Sequence, residues 1–258
     1  MATDRATITR KKMVMIFLLD GSNSMNENHK MDALNKSMQN AIEIAQDIDA
    51  KNTEVQIEVA VMLFGTGSDG NQCKWLYGEP EPVDRFEWED QVASGWTPMA
   101  DAIRKANQAM SRSKFMDSPS GSMAPVVVMI SDGIPCTSSG TMASDLADTD
   151  NAIAEISRND WFKVAIKAAI AIGDDADKNI LAKFTGDSKT VFDAHSSDRL
   201  KDVIEFIVLR SSMINSTIVS KGGSKNKPED DEAQQRFAEA SEEEKANNGD
   251  MNSTGWTV

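Results

Sequence analysis

Oxygen-bearing side chains stand at three places in this chain where a strand ends or a helix begins. Asp20, Ser22 and Ser24 are spaced two residues apart and follow directly on the apolar run Met13 to Leu19. Thr97 sits in Gly95-Trp96-Thr97-Pro98-Met99, and Asp132 closes a second apolar run in Ile130-Ser131-Asp132-Gly133. Carboxylate and hydroxyl oxygens are hard donors that suit Mg²⁺, Mn²⁺ or Ca²⁺ better than zinc or copper. Alone, Asp-x-Ser-x-Ser is equally a turn or cap signature. Its conjunction with Thr97 and Asp132 at matching strand and helix ends is what points to a cation site.

Competing signals are weaker. His29 and His195 have no cysteine or second histidine at ligand spacing, and Cys73 and Cys136 are too few for a zinc cluster. The acidic groups Asp145/Asp148/Asp150 and Asp174/Asp175/Asp177 lack the glycine and closing glutamate of a calcium loop. No Gly-Lys-Ser/Thr follows Gly65 to Gly70, so that turn is not a phosphate loop.

The donors need a rigid frame, and the apolar pattern supplies one. Unbroken apolar runs at 13–19 and 124–130 predict strands buried on both faces of a parallel sheet. Further strands are expected at 54–64, 162–172 and 190–193, with a short antiparallel edge strand at 74–77. Helical periodicity places helices at 30–48, 99–111, 148–157, 177–184 and 198–213. Residues 79–90 read as a surface loop with a possible helical turn. Such alternation implies an α/β, Rossmann-like doubly wound, mostly parallel sheet of about six strands with helices on both faces. In open sheets of this kind, ligands bind at the carboxyl ends of the strands. Residues 1–12 read as a polar arm, 13–215 as the folded domain, and 216–258 as an acidic, disordered tail.

Composition narrows the partners. A formal net charge of −14 disfavours nucleic acid and anionic membrane surfaces. No segment has the length and apolarity of a spanning helix, and two cysteines in 258 residues suggest a reducing, cytoplasmic setting. The sequons at Asn215 and Asn252 are then irrelevant.

With these residues in view, the chain resembles the von Willebrand factor A-type (VWA) domain, known in integrins as the I domain. The resemblance covers roughly residues 13–213 and rests on Asp-Gly-Ser-Asn-Ser-Met, Gly-Trp-Thr-Pro-Met and Ile-Ser-Asp-Gly, in order. By phrase it is similar to bacterial VWA proteins of the tellurite-resistance and stress-response group. The resemblance implies a metal-ion-dependent adhesion site, with Ser22 and Ser24 as direct ligands and Thr97 direct or through water. Asp20 and Asp132 would act largely through bound water. It implies a non-enzymatic module whose cation, Mg²⁺ before Mn²⁺ or Ca²⁺, accepts an Asp or Glu carboxylate of a partner protein. Neutral hydroxyls would leave such an ion electrophilic. It also implies that the last helix could move on ligation.

One departure is Trp96, where the related bacterial sequences have a small residue. It is either a binding anchor on the rim or a side chain packed on a neighbouring loop. Met25, Met99 and Tyr77 are further rim candidates.

The alternative is a Mg²⁺-dependent haloacid-dehalogenase-type phosphohydrolase, with Asp20 as nucleophile and Asp132 or Asp174 holding the metal. That chemistry wants a general acid two residues after the nucleophile. The position holds Ser22, so the enzyme reading loses.

Overall fold

Alternate residues of the first strand face opposite cores. In β1 (Lys11–Asp20), Met13, Met15, Phe17 and Leu19 enter one apolar cluster, and Val14, Ile16 and Leu18 enter the other. This two-sided burial is why the run reads as continuously apolar. The computed structural model describes residues 10–67, 70, 72–173, 176–220 and 232–248.

Six strands lie in the order β3-β2-β1-β5-β6-β7, and the two-residue β4 (Glu81–Pro82) also pairs with β2. They are β2 (Val55–Thr66), β3 (Gln72–Trp75), β5 (Val126–Ser131), β6 (Ile166–Ile172) and β7 (Val191–Ala194) beside β1. All neighbours are parallel except β3 and β4, which run antiparallel on β2. The expected doubly wound sheet is thus observed, with β4 added to the expected edge strand.

One face carries α1 (Lys30–Lys51) and α6 (Ser197–Ser220), whose Leu34, Met38, Val203 and Ile207 share a cluster with the odd residues of β1. The other face carries α2 (Met99–Ala109), α3 (Met142–Ile156) and α5 (Lys178–Thr185), with Ile103, Ile153 and Leu181 inward. Gly186 ends α5 at φ +76°, as its place after the helix suggested.

Several boundaries differ from expectation. Lys11 and Lys12 belong to β1, so the strand begins inside the expected arm; residues 1–9 lie outside the described residues. The expected strand at 162–172 starts at Ile166, because Asn159 caps a short helix α4 (Asp160–Val164) by accepting from the Trp161 and Phe162 amides. Helix α3 starts at Met142 rather than Asp148, held by a Thr141/Ser144 capping box.

The largest correction concerns the tail. Helix α6 runs on to Ser220, and Glu232–Asn247 forms a docked helix, α7. Phe237 is wholly buried, with ring centroids 6.5 Å from Phe192 of β7 and 5.9 Å from Phe206 of α6. Gln234 accepts from the Lys167 amide at 2.7 Å and donates to the Lys167 carbonyl at 3.2 Å. Glu242 and Glu244 pair with Lys189 and Arg199. A narrow stripe of Ala233, Phe237, Ala238 and Ser241 suffices to seat the helix, leaving the rest polar. Its composition therefore looks like that of a solvated chain. The remaining tail residues, 221–231 and 249–258, lie outside the described residues. Asn215 is buried, with its amide on the Ala124 carbonyl.

Candidate metal centre

The sheet order reverses at β1, which is flanked by β2 on one side and β5 on the other. Parallel pairing sets Leu19 opposite Ile130, so the carboxyl ends of β1 and β5 arrive side by side. That brings Asp20 next to Ser131 and Asp132 across 111 residues of sequence. Such a reversal point opens the crevice where ligands of doubly wound sheets bind.

Asp20 is fully buried and held by two donors. Its Oδ1 accepts from the Ser22 amide at 2.9 Å and its Oδ2 from Ser131 Oγ at 2.5 Å. Ser24 Oγ donates to Asp132 Oδ1 at 2.8 Å. With its one proton committed, Ser24 must accept from Ser22 Oγ, 3.0 Å away. Asp132 is also buried, and its Oδ2 accepts from the Lys30 ammonium at 2.7 Å.

Thr97 reaches this cluster through its backbone. Its amide donates to the Cys136 carbonyl at 2.9 Å and its carbonyl accepts from the Cys136 amide at 3.1 Å, tying it to the loop after Asp132. Gly133 lies between the two loops: a methyl group there would stand 3.5 Å from Thr97 Oγ1 and 4.0 Å from Ser24 Oγ. All five predicted donors, Asp20, Ser22, Ser24, Thr97 and Asp132, are therefore gathered at one sheet edge.

The loops interlock behind them. The Gly21 amide donates to the Phe64 carbonyl at 2.7 Å, the Asn23 amide to the Gly95 carbonyl at 3.0 Å, and the Trp96 amide to the Gly70 carbonyl at 2.8 Å. Gly65 and Gly95 hold φ near +92° and +107°, and a Cβ on either would strike backbone at 2.3 and 2.5 Å. Only glycine permits that approach.

The electrostatics call for a cation. Burial first, and the Asp132 charge second, push the Asp20 carboxyl up to about 6, against the lowering effect of the hydrogen bonds from Ser131 and Ser22. Two enclosed carboxylates resist ionising together, and the Lys30 ammonium offsets only one of their charges. The donor chemistry fits a hard divalent ion. Adjacent oxygens around Mg²⁺ at 2.0–2.1 Å are about 2.9 Å apart in an octahedron, close to the 3.0 Å between the Ser22 and Ser24 hydroxyls. Among the described residues there is no group of three or more His, Cys, Asp or Glu side chains able to hold a metal, so hydroxyls are essential to any such site.

The rim differs from expectation. Trp96 is 44% exposed, but Met25 and Met99 are buried. Met25 drops into the cluster under α1, and Met99, at the first turn of α2, packs in the opposite cluster, so neither can meet a partner. Tyr77 stacks edge-on against Phe86 on the antiparallel side of the sheet, with its hydroxyl donating to the Glu87 carbonyl. In their place, Ile134 is exposed on the loop that carries Asp132. Ser131 and Lys30 are partners of the centre that the motif pattern does not single out. Ser131 adjoins Asp132 and was within reach of the motif, whereas Lys30 is 102 residues from its partner and left no local signal.

The sequence profile of the von Willebrand factor type A domain matches residues 15–206. No curated protein sequence matches the chain. Among solved structures, a von Willebrand factor type A protein from Catenulispora acidiphila superposes at TM-score 0.54 with 19% identity, over 80% of this chain and 43% of that one. The pilus adhesin SpaC from Lactobacillus rhamnosus GG gives TM-score 0.58 and 13% identity, over 80% of this chain and 30% of that one. Proximal thread matrix protein 1 from the mussel byssus, solved with a zinc-occupied MIDAS motif, gives 0.51 and 14%, over 79% and 46%. The chain thus spans less than half the length of these three structures, and at such identities the likeness is one of fold. With the profile covering most of its length and the fold in agreement, the chain belongs to the von Willebrand factor type A domain family.

Proposed function

We propose that the chain is a non-enzymatic protein-binding module, in which a divalent cation held by Ser22, Ser24, Thr97, Asp20 and Asp132 accepts an Asp or Glu carboxylate from a partner. The observation that carries this reading is the hydroxyl pair of Ser22 and Ser24, 3.0 Å apart and wired to Asp132, between two buried carboxylates. Bound there, Mg²⁺ would supply a Lewis-acidic centre with room for an outside oxygen ligand. Asp20 and Ser131 orient the Ser22 turn, and the Thr97–Cys136 bridge fixes the second loop against the third. Exposed Trp96 and Ile134, on the loops bearing Thr97 and Asp132, supply apolar contact around the incoming acid.

The phosphohydrolase reading fares worse. The second residue after Asp20 is a hydroxyl engaged with Ser24, and both Asp20 oxygens are already taken by protein donors, which leaves no lone nucleophile facing outward. No described helix is long and apolar enough to cross a membrane. Because the chain's net charge is −14, a partner surface carrying one acid among basic residues fits best. The cytoplasm is the proposed setting.

Affinity capture from the source cell tests the proposal. With Mg²⁺ present, the wild-type chain should retain partners that chelator or Thr97→Ala releases, and it should hydrolyse no aryl phosphate. Retention unchanged by both treatments, or metal-stimulated hydrolysis lost in Asp20→Asn, would overturn it.

A further inference from the structure

Lys30 opens α1, a place where a cation opposes the helix dipole. It is nevertheless only 4% exposed, and among the described residues its ammonium has one hydrogen-bond acceptor, Asp132 Oδ2 at 2.7 Å. The two residues before it, Asn28 and His29, hold left-handed φ of +53° and +58°. Consecutive non-glycine residues in that region carry a conformational cost. The kink, at the end of the 3₁₀ segment Asn23–His29, turns the chain into α1, and the Lys30 ammonium meets the same Asp132 carboxylate whose other oxygen accepts from Ser24. Gly173, at the end of β6, closes the far side: a Cβ there would touch Lys30 Cε and Nζ at 3.4 Å. Helix stability accounts for none of this. An ion pair built into the centre does.

We infer that Lys30 is a resident counter-cation of the metal centre, neutralising Asp132 when no metal is bound and holding the affinity for divalent cations low. The inference rests on the reading of the centre as a cation site. Two buried carboxylates, Asp20 and Asp132, face it. With Lys30 the metal-free cluster carries one net negative charge; without it, two. An arriving divalent ion meets the Lys30 charge as repulsion and must share Asp132 with it. The gain is on the other side of the cycle. A loaded centre with Lys30 in place keeps one net positive charge, which favours a partner's carboxylate. Occupancy then responds to cation and partner together, rather than being permanent.

Titration calorimetry with MnCl₂ alone, on the full chain, tests this with Lys30→Met and Lys30→Gln. Each is neutral, and glutamine can still donate to Asp132, so one is expected to fold if the other does not. The expected result is Mn²⁺ binding at least tenfold tighter than wild type in either folded variant, together with a lower midpoint of thermal unfolding in chelator that Mn²⁺ restores. Equal or weaker Mn²⁺ binding in a folded neutral variant, with wild type binding normally, would overturn the role of Lys30 alone. Wild type that binds no Mn²⁺ would overturn the metal centre itself, and Lys30's role with it.

Discussion

Asp20→Asn isolates the electrostatic cost of the metal-free centre. Asparagine keeps the shape of the side chain: its carbonyl oxygen can accept from the Ser22 amide, and its amide can donate to Ser131 Oγ, whose proton is then free to turn away. What disappears is a buried charge facing Asp132. Burial first, and the Asp132 charge second, raise the Asp20 carboxyl from an ordinary 3.8 to about 6. A carboxyl whose folded value is raised binds a proton more tightly folded than unfolded. Its contribution to stability is therefore full below the unfolded value and is lost as pH rises through about 6. The displacement corresponds to about 3 kcal/mol at neutral pH. In chelator at pH 7.5, Asp20→Asn should accordingly exceed wild type by up to about 3 kcal/mol in urea unfolding, and the gap should close toward pH 4. Divalent binding should be lost in the same variant. A variant less stable than wild type at pH 7.5, or a gap independent of pH, would refute the claim that the empty centre stores unfavourable charge.

Other consequences follow from the packing around the centre. Gly65→Ala would drive a methyl group to 2.3 Å from the Trp96 carbonyl, whereas Gly78, also left-handed at φ +80°, has nothing within 4 Å. Calorimetry should find Mn²⁺ affinity reduced at least tenfold by Gly65→Ala but unchanged by Gly78→Ala, whose cost is about 1 kcal/mol of backbone strain. Phe237→Ala removes the anchor of α7 between Phe192 and Phe206. It should cost up to about 3 kcal/mol and release amide-exchange protection across 232–247 while β1 and β5 stay protected. A loss of protection that spread to the central strands would show that α7 belongs to the main cooperative unit.

The parts of the fold legible in the sequence are those with a strong period. The runs ending in Asp20 and Asp132 are buried on both sheet faces, which marks both as inner strands of a parallel sheet whose carboxyl ends lie along one edge. Ser22 and Ser24 follow in the turn directly after β1, whereas Thr97 is brought in by its backbone bridge to Cys136. Elements held by a few specific contacts were hidden. Asn159 caps a short helix just ahead of an apolar stretch, so residues 162–164 are helical where strand is expected. Helix α7 is seated by one phenylalanine and small residues, and its acids find partners in Lys189 and Arg199 far away in sequence. Met25 and Met99 flank the donor motifs yet turn into the two cores, since proximity in sequence says nothing of which way a side chain points. Lys30 was invisible for the same reason, its role being set by a pairing across the sheet.

The central claim is that hydroxyls and carboxylates from three loops form a single site for a hard cation. An anomalous difference map from crystals grown with MnCl₂ tests it most directly. One strong peak is expected, bonded to Ser22 Oγ and Ser24 Oγ at about 2.2 Å, with Asp20, Thr97 and Asp132 around it. No peak at millimolar Mn²⁺, or a peak held by other residues, would contradict it.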